Sequence, residues 1–401
     1  MSGIAVRLGD LIDDARPGFA SGDRDASGVL QLRMGAVTST GTVNWTKAVR
    51  VPAPPDVSRY WLGAGDVVFN NTNSQELVGR ASLVSEAPEA ATFSNHITRL
   101  RCGDRLDPGF LVFWLNSRWI TGFFFAFAHR WVGQSAIQVA RLLDLEIPLP
   151  PLDEQRRIAA RLREQLALRD SLAGQLSANQ SVLDQLERRL VEKAATIALT
   201  APTDSIGRLT DSPPSPSVKS DGEASVIAVT SGCLTSAGWS EAGLKAARMH
   251  PALVARGTLG PGEVLVSRSN TGELVGRSAV FPGSARPIVA TDLIFRLRAD
   301  RTRLLPEYLA IQLQAMQLEG YWRDRSSGAS STMKKITRTQ LNAVVIPLPP
   351  VDEQHRIAAR LHGQLAEIDR AKAALNAQRR AVNALPAALL REVFGPAPRA
   401  S

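Results

Sequence analysis

The sequence predicts an α+β chain: two mixed α/β domains separated by a pair of long antiparallel coiled-coil helices, related as a pseudo-two-fold tandem repeat. Three observations carry this. IPLPPLDEQRRIAARL (147–162) recurs as IPLPPVDEQHRIAARL (346–361), differing only at Leu152/Val351 and Arg156/His355. GDVVFNNTNSQELVGR (65–80) recurs as GEVLVSRSNTGELVGR (262–277), and Arg99-Leu100-Arg101 recurs as Arg296-Leu297-Arg298, with a weaker match of AVTSTGTVNW (36–45) to AVTSGCLTSAGW (228–239). Each PLPP stretch then opens into an apolar pattern spaced alternately four and three residues. Matches in the same order in both halves are the mark of a duplicated unit.

Taken in order, residues 1–150 form the first domain and 151–200 the first long helix. Residues 201–349 form the second domain, opened by a Pro/Ser/Gly-rich loop or linker at 201–225, and 350–401 hold the second long helix and a C-terminal tail. Asp66–Asn70, Ala81–Ser85, Glu263–Ser267 and Ser278–Phe281 are β-rich runs bounded by Gly, Asn and Ser, as strands require. A helix follows in each copy, at about 108–128 and 306–322. The PLPP stretches are rigid and extended, because proline fixes φ and turns its predecessor away from helix. Asp153 and Asp352 then serve as N-caps. The predicted seam runs through Ile158, Leu162, Gln165, Arg169, Leu172, Leu176, Asn179, Leu183, Leu186 and Leu190. In the second copy it runs through Ile357, Leu361, Gln364, Ile368, Ala371, Leu375, Gln378, Val382, Leu385 and Leu389. Polar seam residues, Gln165/Gln364 and Asn179/Gln378, can fix register at some cost in stability. A helix of ~40 residues is ~60 Å long and cannot bury its stripe alone, so the two pack on each other. Pro386 is expected to interrupt the second helix, leaving Ala387–Phe394 as a short terminal turn.

The chain has 401 residues, 47 Lys plus Arg against 38 Asp plus Glu, and net charge +9. That basic excess suits a polyanion partner, and there is no long Lys/Arg block of the kind found in disordered basic tails. Phe110–Ala128 has the length of a membrane span but carries Asn116, Ser117 and Arg118 at its middle, where a charge costs ~2.5–3.5 kcal/mol in a bilayer. It reads as a core helix, and the expectation is a cytoplasmic chain. Cys102 and Cys233 occupy non-equivalent places and form neither CxxC nor metal-ligand spacing, consistent with free thiols.

Catalytic signatures are missing. There is no GxxxxGK[ST], no Gly-rich turn for a dinucleotide or S-adenosylmethionine, no Asn/Asp-Pro-Pro-aromatic motif and no GxSxG. His96, His129, His250, His355 and His362 make no HExxH. His355 and His362 share a helix face, as a solvated or partner-facing helix allows. The expectation is therefore no catalytic, cofactor-binding or metal site in this chain.

The duplicated PLPPxDEQ segments, each closing a variable domain and opening a heptad helix, resemble the specificity subunit of type I restriction–modification enzymes. The framework GDVV…ELVGR and GEVL…ELVGR and the ending ALPAALLREVF (384–394) fit the same family. The resemblance implies two target-recognition domains, each reading one half of a split double-stranded DNA site. It also implies helices that act as spacer and docking platform for two methyltransferase subunits, which recruit two restriction subunits. Methylation in the family falls on adenine N6. S-adenosylmethionine, ATP and Mg are expected in the partner subunits and none in this chain. Half-sites about one duplex turn apart (~34 Å) would place both readers on one DNA face.

Phosphate contacts supply affinity and polar side chains in the major groove supply specificity, so loops rich in both are the candidates. Before the second PLPP these are Ser327, Ser330, Ser331, Thr332, Lys334 and Lys335. Before the first they are Arg130, Gln134, Ser135 and Gln138. The hairpin turns add Asn71 and Asn73 opposite Arg268, Ser269 and Asn270, although turn chemistry alone explains the asparagines. Arg80 and Arg277 complete the DNA set, unless they pair with a carboxylate. The near-identical segments supply candidate partner contacts: Pro150, Asp153, Glu154, Gln155 and Arg157, with Pro349, Asp352, Glu353, Gln354 and Arg356. The alternative from another class is a coiled-coil scaffold with two protein-binding domains and no DNA role.

Overall fold

Short runs of Val, Ile, Leu and Phe bounded by Gly and Asn become the strands of two similar units. The computed structural model describes residues 4–131, 134–217, 222–236, 238–328 and 333–395. One unit comprises 1–176 with 377–401, the other 177–376. The division differs from the expected domain boundaries because each long helix contributes its two ends to different units.

In the first unit a four-stranded antiparallel sheet has the order Ile12–Pro17, Ile97–Cys102, Val67–Asn70, Ala81–Leu83. A second sheet sets Val29–Leu32 between Val49–Val51 and, in parallel, Ala91–Phe93. Ile4–Arg7 pairs with Glu146–Leu149, just before the PLPP turn. The helix Pro108–Ile120 buries Phe110, Trp114 and Leu115 in the core. Asn116, the polar residue in the membrane-length segment, is fully buried, and its side-chain amide both accepts from and donates to the backbone of Ala81. Among the described residues no helix is long and apolar enough to cross a membrane.

The second unit repeats this topology. Thr210–Asp211, Ile294–Ala299, Val264–Ser267 and Ser278–Val280 form its antiparallel sheet. Ala224–Ala228 lies between Lys245–Met249 and, in parallel, Ile288–Val289. Thr203–Ser205 pairs with Val345–Pro347. The expected loop at 201–225 is thus corrected. Its first part forms a strand, a helical turn (Ile206–Leu209) and the edge strand of the sheet, and Ala224 begins another strand. These residues have weak local propensity and are ordered by long-range pairing.

Each predicted helix, about 108–128 and 306–322, is in fact two. Gly122 (φ 76°) and Gly320 (φ 80°) take the left-handed conformation that ends the first helix, and Phe123–Phe127 and Tyr321–Arg325 form a second, short one. The ELVGR motif answers to this short helix. A Cβ at Gly79 would lie 2.5 Å from the Phe124 ring, and one at Gly276 would lie 2.0 Å from Cδ1 of Trp322. Both glycines have positive φ, so no other residue fits beneath the ring.

The long helices span Leu152–Thr196 and Val351–Phe394. They start one residue before Asp153 and Asp352, so these aspartates sit in the first turn rather than at the cap. The carbonyls of Pro151 and Pro350 accept the first amides instead. The aspartates still favour the positive end of the helix dipole. The helices run antiparallel within each unit: Arg161 faces Glu392 and Arg169 faces Asn383 in the first, and Asp184 and Glu187 face Lys372 in the second. The predicted seam is half right. Leu162, Arg169, Leu176, Leu183 and Leu190 lie in it, but the alternate positions fall one residue later. Ala173, Gln180 and Glu187 turn inward, whereas Leu172 and Leu186 are 45% and 44% exposed and Asn179 is exposed. In the second helix Leu365, Lys372 and Pro386 are less exposed than Gln364, Ala371 and Leu385. The polar seam device is therefore the Glu187–Lys372 pair together with Arg169.

Pro386 does not interrupt the second helix, which continues to Phe394. A proline has no N–H, so the carbonyl of Val382 one turn earlier loses its helical partner. Arg169 replaces it: Nε donates to the Val382 carbonyl at 3.4 Å and Nη2 to Oδ1 of Asn383 at 2.9 Å. In chemical denaturation, R169M is expected to cost the wild type about 1–2 kcal/mol. The same change should cost less in a P386A background, where the backbone bond is restored. Equal costs in both backgrounds would refute this role for Arg169.

Candidate nucleic-acid interface

In both units the arginines of the Arg-Leu-Arg strand are neutralised. Arg296, fully buried, donates to both oxygens of Glu263 and to the carbonyls of Arg256 and Thr258, and Arg298 joins the same carboxylate at 2.8 Å. Burial pushes the Glu263 carboxyl up, but the two guanidiniums outweigh this and hold it below the usual carboxylate range. In the first unit the equivalent acid is the shorter Asp66, which takes only Arg101 at 2.8 Å; Arg99 turns to Asp14. These charges serve the fold.

The unneutralised cations gather elsewhere. The two loops singled out separately in each copy meet as paired strands. In the first unit Thr72–Asn73 pairs with Gln134–Ala136, which pairs with His129–Trp131. In the second, Ser269–Asn270 pairs with Lys334–Lys335, and Ser327 bridges to Lys335. Among the described residues Arg268, Arg277, Arg325, Lys334, Lys335 and Arg338 of the second unit have no carboxylate partner. Arg268 and Arg338 both approach the Phe295 ring, with guanidiniums 5.7 and 5.4 Å from its centre. The tip of the hairpin is close to two cations: a Cβ at Gly272 would lie 3.4 Å from Cγ of Arg323 and 3.8 Å from Cγ of Lys334.

Not every predicted reader is presented to solvent. Asn71 is buried and donates to the Asn95 carbonyl and to Oγ1 of Thr98, so it braces the hairpin. Asn73 and Asn270 accept from the amides of Ser74 and Thr271, the turn chemistry anticipated for them. Ser135 is buried, as is Ser269, whose hydroxyl meets Sδ of Met333 at 3.0 Å. Arg268, Gln138, Ser327 and Lys335 are exposed, and Lys334 is half-buried with Nζ on the Gly328 carbonyl. Arg80 and Arg277 pair with no carboxylate among the described residues. Each is half-buried, and Arg80 stacks 4.3 Å from the Trp119 ring centre. For Arg130 and Gln134 only the backbone is described, and Ser330, Ser331 and Thr332 lie outside the described residues.

The partner candidates divide in the same way. Pro150, Gln155, Pro349 and Gln354 are buried within their own units. Gln155 accepts from the Asp107 amide and donates to the carbonyls of Arg105 and Pro150; Gln354 does the same with Leu305, Arg303 and Pro349. These glutamines fasten each long helix to its unit, which corrects their assignment as partner contacts. Asp153, Arg157, Asp352 and Arg356 are exposed, and Glu154 and Glu353 are half-buried.

Sequence reasoning missed the short helices Phe123–Phe127 and Tyr321–Arg325, which lead directly into this face. The signal was present in Gly122 and Gly320, which divide the longer helices. Among the described residues no group of His, Cys, Asp and Glu could hold a metal ion. Burial pushes the Cys102 thiol up to about 12, with nearby carboxylates adding to the rise, and the Cys233 thiol is also raised by burial. Neither is a thiolate at neutral pH.

The second unit pairs Arg296 and Arg298 with Glu263 and leaves Arg268, Lys334 and Lys335 without a carboxylate partner among the described residues along a strand–loop face, an arrangement suited to a polyanion. Residues 53–177 and 262–379 match the type I restriction modification DNA specificity domain. Covering more than half of the sequence, the two matches show that the chain belongs to this family of type I restriction–modification specificity subunits, non-catalytic components that recognise DNA. The type I restriction enzyme MjaX specificity subunit of Methanocaldococcus jannaschii is 25% identical, over 90% of this chain and 87% of that one. Two solved structures share the fold. A chain from a study of complex assembly and conformational transition of the type I R-M system has a TM-score of 0.73 at 20% identity, over 98% of this chain and 97% of that one. The HsdS subunit of Thermoanaerobacter tengcongensis has a TM-score of 0.57 at 22% identity, over 98% and 96%.

Proposed function

We propose that the chain reads a split double-stranded DNA target, one half-site per unit, and presents it to two methyltransferase subunits that modify adenine N6. Two restriction subunits complete the assembly. S-adenosylmethionine, ATP and Mg belong to those partners. The observation that carries the reading is the pairing, in each unit, of the hairpin tip with the loop before PLPP, which in the second unit brings Arg268, Lys334 and Lys335 together with no carboxylate partner among the described residues. Phosphates would take the cations and base edges the polar groups. Docking draws support from the first long helix, which leaves Leu168, Leu172, Val182 and Leu186 exposed. Such residues at heptad-like spacing suit a helical partner.

Selection from a randomised duplex pool, using the full chain assembled with its methyltransferase subunits, tests the proposal. Enrichment of one sequence in two separated blocks is expected. Recovery of no sequence, or of a single continuous block, would refute it.

A further inference from the structure

The short helix beside the candidate DNA face has the same place in both units and different chemistry in its second half. Gly122 and Gly320 precede it, and Phe124 and Trp322 fill the same place over Gly79 and Gly276. The helix opens on an aromatic in both, Phe123 and Tyr321, but then Phe125 stands against Arg323 and Phe127 against Arg325; Arg323 pairs with Asp324 at 3.3 Å, both exposed, and Arg325 lies 3.9 Å from the Tyr321 ring centre. Phe123 and Phe125 are 36% and 46% exposed, while Phe124 between them is buried in the core; adjacent exposed aromatics form the kind of apolar patch that marks an interaction surface. Phe123 is held rigidly: it stacks on Phe127 at 5.2 Å and 22° and meets Phe124 edge-on at 5.4 Å. The helix runs straight into the His129–Trp131 strand, whose partner pairs with the hairpin tip. In the second unit the helix runs into Ser327, which bridges to Lys335.

We propose, building on the DNA reading above, that the two units grip their half-sites by different means at this one position. Arg323 and Arg325 neutralise phosphates, whereas Phe123 and Phe125 lie against apolar DNA surface, the deoxyribose faces and thymine methyl groups. A ring pinned in a stack is poorly placed to slide between base pairs as a wedge does, but it offers a rigid apolar surface to a groove wall. The consequence is a difference in salt response. Each phosphate contact contributes about 0.9 to the slope of log affinity against log salt, and an apolar contact contributes none.

The test is duplex binding by the full chain assembled with its methyltransferase subunits, measured across a salt series. F123A/F125A is expected to weaken binding about tenfold or more with the slope unchanged, as loss of buried aromatic area would do. R323A/R325A is expected to make the slope shallower by about 1.8, and F125R to make it steeper by about 0.9. Wild-type affinity in F123A/F125A would overturn the proposal while leaving the DNA reading intact. Failure of F123A/F125A to assemble with the methyltransferase, with normal DNA affinity in whatever does assemble, would overturn it in favour of a protein partner on this patch. Absence of salt-dependent binding by the wild-type complex would overturn the DNA reading itself.

Discussion

Replacing Glu263 by alanine is expected to cost the second unit about 3–5 kcal/mol, because it strands a fully buried guanidinium without its counter-charge. The carboxylate is the shared partner of Arg296 and Arg298, and its loss leaves Arg296 only two backbone carbonyls. The first unit divides the same task between Asp66 and Asp14, and Asp14 is 27% exposed, so water can replace it and D14A should cost less. The pH dependence follows from the depressed carboxyl of Glu263. Its contribution is fully present above the unfolded value of about 4.3 and is lost as pH falls through the lower folded value. Denaturant unfolding of the wild type should therefore weaken in acid, and E263Q should lack that component. An E263A protein as stable as the wild type at neutral pH would contradict the assignment.

R268A/K335A is expected to lower affinity for any duplex and to make the salt slope shallower by about 1.8, two phosphate contacts' worth, while preserving the order of preference among sequences. Both side chains are exposed and neither has a carboxylate partner among the described residues, so truncation removes charge without leaving a buried group unsatisfied. Their proposed contacts are to phosphates, which orient a protein on the duplex but carry no sequence information. A binding titration on target and non-target duplexes at several salt concentrations decides the matter. An unchanged slope, or a loss confined to the target, would remove these two residues from the phosphate-contacting set.

The duplicated architecture was legible because its signals are local and repeated. PLPP followed by a heptad helix, and strand runs ending in Asn or Ser, need no tertiary partner to be recognised. What escaped depended on distant segments. Thr203–Asp211 looks like linker until Val345–Pro347 and Ile294–Ala299 pair with it. The helix seam was placed one residue early at Leu172 and Leu186 because the inward alternate positions hold Ala173, Gln180 and Glu187, so apolar periodicity selected the neighbouring, exposed leucines. Gln155 and Gln354 look like surface residues on a charged helix, but each satisfies one amide and two carbonyls of the turns packed against it. At the candidate face, residue type singled out loops that prove to pair with each other but not which side chains face outward: Asn71, Ser135 and Ser269 are buried.

The end of the second long helix has a consequence for how the protein is made. The Phe394 ring meets Phe110 at 5.5 Å, tilted by 60°, and Leu390 is 1% exposed in the core of the first unit. The first unit to leave the ribosome is therefore the last to be completed: its core stays open until residue 394 has been synthesised. The second unit, one uninterrupted stretch from 177 to 376, can close earlier. A nascent chain paused between the two points would carry a finished second unit and an exposed first one, a natural client for a chaperone.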